Sequence, residues 1–158
     1  MHFVRWIGAG ALLFLGVLLG LAFSGFEKRR LLQAEGFLSL LRYIRLQIDC
    51  FSLPLGKILA TVEEKTLADC GAVGRPRDFE ELLSGTSLYL SEEICRLLFE
   101  LSARLGGSYR EEQLRCCDYY IARLSPYCDS LRTDLPRREK MALFLPPALA
   151  VALILLLL

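Results

Sequence analysis

Two long uncharged runs, and apolar residues spaced by three and four between them, predict an all-α protein. The expected architecture is an antiparallel helical bundle between an N-terminal and a C-terminal transmembrane helix. Ile7 to Phe26 is a run of twenty residues without charge, and Met141 to Leu158 is a second run of eighteen. Twenty helical residues rise about 30 Å, the thickness of a hydrocarbon core. No stretch alternates apolar and polar residues long enough for a strand. The expected organisation is a transmembrane helix over 1–26, a helical domain over 27–140 and a transmembrane helix over 141–158.

The first run contains Gly16, Gly20 and Ser24, small residues four apart, a ridge that permits close helix approach in a membrane. It suits packing against a partner span or against the second run of this chain, or is ordinary glycine use in a membrane helix; oligomer formation stays open. Lys28, Arg29 and Arg30 follow the first run; Arg137, Arg138 and Lys140 precede the second. Basic residues at span ends stay on the cytoplasmic side, so the middle domain is expected in the cytoplasm, with both termini outside.

The first helix is expected to continue to about Cys50, with Ala34, Leu38, Leu41, Ile44, Ile48 and Phe51 on one face. SLPL interrupts it, and Pro54 suits a first helical turn. Leu55, Ile58, Leu59 and Val62 form the next stripe. Asp69 to Asp78, rich in Gly and Pro, reads as a loop, and Phe79 to Leu83 as a short helix. Ser91 is placed to cap a helix whose stripe is Ile94, Leu97, Leu98 and Leu101. Leu105-Gly106-Gly107 ends it. Ser108 and Glu111 form a capping box for the next helix. Leu114, Cys117, Ile121, Leu124, Cys128, Leu131 and Leu135 then follow at strict 3-4 spacing, about three heptads of a coiled-coil-like seam. Pro126 is expected to kink or split that helix.

The segment 31–136 holds 12 Lys/Arg against 16 Asp/Glu, a net charge of −4, which argues against nucleic acid as a partner. The only histidine is His2, outside the domain, which excludes a histidine-assisted nucleophile there and leaves no zinc-ligand set. No phosphate-binding G-x-x-x-x-G-K-[ST] loop is present. The chain therefore reads as a non-enzyme without cofactor or metal. The acidic pairs Glu63-Glu64, Glu80-Glu81, Glu92-Glu93 and Glu111-Glu112 are helix starts or solvated faces, or one of them docks a basic partner. In the cytoplasm Cys50, Cys70, Cys95, Cys116, Cys117 and Cys128 stay reduced. An alternative starts from Ala22-Phe23-Ser24, which resembles a signal-peptidase site. Cleavage there would export a disulfide-stapled, C-terminally anchored binding domain.

Three features carry a resemblance to the stage III sporulation protein AB family. QIDCFSLPL, Gln47 to Leu55, is similar to the family stretch E-I-x-Y-x-x-T-P-L at Ile48, Pro54 and Leu55. Gln47, Cys50 and Leu53 depart from it. LGGSYREEQ, Leu105 to Gln113, is similar to L-G-x-S-D-x-x-x-Q at Leu105, Gly106, Ser108 and Gln113, while Tyr109 replaces the acidic residue. The layout of span, helical domain and a second span entered at Lys140-Met141 is similar as well. The resemblance implies a domain like the helical cytoplasmic domain of type II secretion F proteins. It also implies a place in the channel complex joining mother cell and forespore, with a secretion-type cytoplasmic ATPase and other channel subunits as partners. On this reading Pro54, Leu55, Leu105, Gly106, Ser108 and Gln113 set helix turns or touch a partner. A small membrane adaptor outside sporulation is a further alternative.

Overall fold

The structure, a computed structural model, describes residues 2–107 and 109–157. The side chains of residues 1–13, 108, 142, 143, 146, 150 and 153–158 lie outside the described residues. Six helices follow one another: α1 His2–Phe51, α2 Leu55–Thr61, α3 Glu64–Cys70, α4 Phe79–Ser84, α5 Glu92–Arg104 and α6 Arg110–Leu157. Among the described residues there is no strand. The chain divides into two compact units, one of residues 30–131 and one of residues 1–29 with 132–158.

In the 30–131 unit, α1 buries Ala34, Phe37, Leu38, Leu40, Leu41, Ile44 and Ile48. This is the expected face without Phe51, which closes the helix exposed to solvent, and widened by Phe37 and Leu40. α6 answers with Cys117, Tyr120, Leu124, Cys128 and Leu131. Leu114 and Ile121 of the same seam are half-buried, as is Leu135, which falls in the other unit. Three links fix the direction of the pair. Arg30 donates to Tyr127 (3.0 Å), Arg45 pairs with Asp118, and Arg110 donates to the Asp49 carbonyl (2.6 Å). Numbers rise on α1 as they fall on α6, so the two helices are antiparallel. The core is completed by residues of the short helices, among them Ile58, Leu59, Leu67, Phe79, Leu82, Leu98 and Leu101.

The short helices hang on Gln33 of α1. Its side-chain amide is buried and fully satisfied: it donates to the carbonyls of Cys70 (2.9 Å) and Ser87 (3.0 Å) and accepts from the Tyr89 N–H (2.8 Å). One turn on, Gly36 lets the backbone of α3 come close. A Cβ there would lie 2.8 Å from both Asp69 C and Cys70 N, closer than packed atoms allow.

The structure corrects several local expectations. Residues 64–70 are helix, so the loop begins later than Asp69. Gly71 ends that helix in the left-handed region, and Ala72 N–H bonds back to Leu67. α4 is capped by Asp78, whose carboxylate accepts from Glu81 N–H (2.7 Å). Ser91 occupies the N-cap of α5 without a side-chain cap bond, and its own N–H goes to the Tyr127 hydroxyl (3.2 Å). α6 runs unbroken through Pro126 and Pro136. A proline removes one helical hydrogen bond; Pro126 and Ala122, four residues before it, are both exposed, so water can take the freed carbonyl. Ser108, half of the expected capping box, lies outside the described residues.

In the unit of 1–29 with 132–158, the buried positions of α1 among the described side chains are Gly16, Gly20, Ser24 and Glu27, one narrow stripe. Phe14, Leu15, Val17, Leu18, Leu19, Leu21, Phe23 and Phe26 are exposed around it. Ser24 Oγ donates to Glu139 (3.5 Å), Lys28 pairs with Glu139 (2.8 Å) and Arg138 with Glu27 (3.4 Å). The structure does not supply the expected transmembrane helices: no helix among the described residues is long and apolar enough to cross a membrane. The reason is partly one of extent. Residues 7–13 of the first run and most of the second past Val151 lie outside the described side chains, and what remains is shorter than the roughly 20 residues a span needs.

None of the six cysteines is joined in a disulfide, which gives no support to a disulfide-stapled domain. Burial pushes the Cys70 thiol up to about 12 from 9.0, with Asp69 adding to the shift. The folded chain thus keeps this thiol neutral at pH values where the unfolded chain ionises it. The stability it contributes is complete below about pH 9 and is lost as pH rises toward 12. The urea midpoint of the native chain should therefore fall toward that of Cys70→Ala as pH rises past 9. Gln33→Leu leaves two carbonyls and one N–H without their buried partner. It should lower stability by about 3 kcal/mol, read from thermal unfolding by circular dichroism. The exposed Ser39→Ala should change little.

Candidate functional site

The two stretches that carry the family resemblance meet in space at one end of the 30–131 unit. The first lies where α1 gives way to α2. Ser52 closes α1 with its N–H on the Ile48 carbonyl (3.1 Å) and takes a positive φ of 50°. Pro54, exposed, is the N-cap of α2, with φ −67° and ψ 145°, and its carbonyl accepts from Lys57 and Ile58. Leu53 and Leu55 pack against the core from this break.

The second stretch joins α5 to α6. Leu105 is buried, and its N–H returns to the Leu101 carbonyl (2.9 Å). Gly106 then turns the chain at φ +98°, a conformation that side-chain-bearing residues rarely adopt. A Cβ at Gly106 would sit 3.8 Å from Leu55 Cδ2, so the two turns face each other across an ordinary packing distance. Tyr109 opens α6, its carbonyl accepting from the N–H groups of Glu112 and Gln113 (both 3.0 Å). The side chain of Gln113 is half-buried.

Arg110 locks the two stretches together. Its guanidinium donates to the carbonyls of Ile48 (3.3 Å) and Asp49 (2.6 Å) and to the Asp49 carboxylate (2.8 Å). The Ile48 carbonyl is shared with the Ser52 N–H, while the last carbonyls of a helix carry the negative end of its dipole, so a cation belongs there. Sequence reasoning passed over this residue. One signal was available: an arginine in the first turn of a helix faces the wrong end of that helix's own dipole, so another partner must hold it.

Of the sequence-predicted residues, the structure brings Pro54, Leu55, Leu105 and Gly106 into this junction and sets Gln113 on the first turns of α6. Ser108 lies outside the described residues. Gly16, Gly20 and Ser24 belong to the other unit, on its buried stripe. The acidic pairs are exposed at helix starts; Glu64 pairs with Arg75 (3.6 Å) and Glu92 with Arg96 (3.3 Å). Among the described residues no group of three His, Cys, Asp or Glu side chains is gathered as a metal site. Around the junction two aromatic rings stand in solvent, Phe51 at 66% and Tyr109 at 89% exposure.

Fold and junction together define a helical-bundle protein whose most elaborate feature is a set of interlocked turns. The model of the stage III sporulation protein AB family matches residues 77–158, more than half of the chain, and the chain belongs to that family. The matched segment holds α4, α5, the Gly106 turn and α6. No curated protein and no solved structure matches the chain. Membership gives it a sporulation-related role.

Gly106→Val forces a β-branched residue into the left-handed region and should cost about 1–3 kcal/mol. Arg110→Ala should leave the global midpoint closer to native but speed hydrogen exchange at the end of α1. Mass spectrometry of peptides covering 46–55 would read this.

Proposed function

We propose that the chain is a non-enzymatic membrane platform in the channel between mother cell and forespore. In this reading the helical unit of 30–131 faces the mother-cell cytoplasm and docks a secretion-type ATPase and other channel subunits. The apolar ends of α1 and α6 lie in the membrane. The observation that carries the reading is the junction. Two turns far apart in sequence are packed on one another, sealed by Arg110 and flanked by exposed Phe51 and Tyr109. Exposed aromatic side chains beside a rigid backbone are the composition of a docking surface. Family membership adds the sporulation setting, and the basic residues flanking both apolar runs support the cytoplasmic side. The exposed apolar side chains around the narrow Gly16–Gly20–Ser24 stripe support burial of that segment in lipid.

Labelling of Cys50 tests the topology. Cys50 is exposed and lies at the end of α1, so a membrane-impermeant maleimide should miss it in intact sporulating cells and label it after permeabilisation. Labelling in intact cells would overturn the cytoplasmic placement. Affinity-tagged full chain should co-purify the ATPase, and Tyr109→Ala should reduce recovery at least several-fold at unchanged protein level. Undiminished recovery would remove the junction from the docking surface.

A further inference from the structure

Beside the junction, within the 30–131 unit, the end of α5 and the first turns of α6 border an open cavity of about 550 Å³. It is lined by Arg104, Glu112, Arg115, Cys116, Tyr119 and Tyr120, with Gly107 at the turn between the helices. Elsewhere in this acidic unit Arg45, Arg75, Arg96 and Arg110 are each held by a carboxylate. Arg104 and Arg115 are not, and neither are Arg42, Arg77 and Arg123; what sets Arg104 and Arg115 apart is that they line one cavity. Among the described residues no carboxylate lies within ion-pair distance of either, although both face the same cavity. Glu112 is the one acidic residue in the lining, so the cavity is positive on balance. The Arg104 charge reaches the interior: it works against the burial that raises the Cys116 thiol and the Tyr120 hydroxyl. The wall is aromatic. Tyr119 and Tyr120 stand edge to face with ring centres 5.2 Å apart, Tyr120 buried and Tyr119 half in solvent.

We propose that this cavity binds an acidic peptide segment of a partner protein, its carboxylates on Arg104 and Arg115 and an apolar or aromatic side chain against the tyrosines. This rests on the reading of the helical unit as a docking platform and names the chemistry of one partner segment. Arginine guanidiniums take carboxylates through paired hydrogen bonds, and such charge-assisted pairs are the strong ones. The volume falls in the range of roughly 300–1,000 Å³ typical of sites for drug-sized ligands, enough for one or two side chains of a peptide and larger than one inorganic anion fills. Glu112 in the lining opposes every anion, and most strongly one that concentrates two charges on a single group, as phosphate does.

Cys116, half-buried in the lining, is a native reporter, and exposed Cys50 is an internal reference. The full chain in neutral detergent is alkylated with N-ethylmaleimide alone, with the acetylated, amidated peptide ELEYE, with its uncharged counterpart QLQYQ, or with inorganic phosphate. Mass spectrometry follows both cysteines. The expected result is slower alkylation of Cys116 with ELEYE only, by a factor near one plus the ratio of peptide concentration to Kd. Cys50 should be unaffected. The double variant Arg104→Gln/Arg115→Gln should need about tenfold or more peptide for the same protection. Persistent exclusion of alkylation at buried Cys70 in that variant shows that it is folded. Equal protection by QLQYQ, protection by phosphate alone, undiminished protection in the double variant, or no protection at all would each overturn the proposal. Co-purification of the ATPase without ELEYE protection of Cys116 would sink the acidic-segment site and leave the platform standing. Loss of co-purification from the native chain would sink the platform itself.

Discussion

The 30–131 unit depends on one buried amide. Gln33 uses both of its donors and its acceptor on main-chain groups of segments that are far apart in the chain: Cys70, Ser87 and Tyr89. Helices of six or seven residues, such as α3 and α4, do not persist alone in water, because nucleation outweighs the few hydrogen bonds gained. They persist here because α1 supplies an apolar face and, through Gln33, a polar contact for the end of α3 and for the segment that follows α4. A buried amide left with any of its groups unmet costs more than the bonds return, so only one register of these segments is acceptable. Gly36 completes the constraint by letting the end of α3 lie against the helix. Tyr127 repeats the device from α6, its hydroxyl receiving Arg30 of α1 and the Ser91 N–H at the start of α5.

The same helix α1 is built on two different principles along its length. Between 30 and 51 it buries large residues, Phe37, Leu40, Leu41 and Ile44, as helices of water-soluble bundles do. Between 14 and 29 it buries only Gly16, Gly20, Ser24 and Glu27 and leaves large apolar side chains outside. In water that arrangement is costly, since the apolar groups stay hydrated. In lipid it is the favourable one: burying large side chains gains little there, and small residues let backbones pack closely. Glu27 has only 8% of its side chain exposed, but it is paired with Arg138, so the basic residues flanking the apolar runs also serve as partners for acidic ones.

The helical class, the interruption at SLPL and the seam of α6 were legible because each rests on a repeated or strong signal. Cys117, Leu124, Cys128 and Leu131 are buried where the 3-4 spacing put them. What escaped had weaker local signals. Helix α3 is seven residues long and carries one buried leucine and one buried cysteine, too short a period to detect. Gln33 looked like a polar residue on a helix; nothing in its neighbours announces three main-chain partners more than thirty residues away. Pro126 was weighed by its intrinsic preference, while the packing on either side of it holds the helix together. At the junction, Pro54 and Gly106 were legible as turn residues, but their meeting was not, because proximity across fifty residues has no local trace. Arg104 and Arg115 likewise look like ordinary surface cations until the fold places them in one cavity.

The turn at Gly106 links the two halves of the candidate surface. Leu105, just before it, is fixed in the core, and Arg110, just after it, is fixed to the end of α1. With both neighbours held, the positive φ of Gly106 determines how α5 leaves and how α6 departs. Those two helices are also the walls of the cavity, Arg104 from one and Arg115 from the other. The placement of the two helix ends that carry these arginines therefore depends on the backbone of Gly106. A side chain at position 106 would disturb the cavity and the junction together, whereas replacing Arg104 or Arg115 would change the cavity's charge and leave the turn intact. Shape and charge at this surface are governed by different residues.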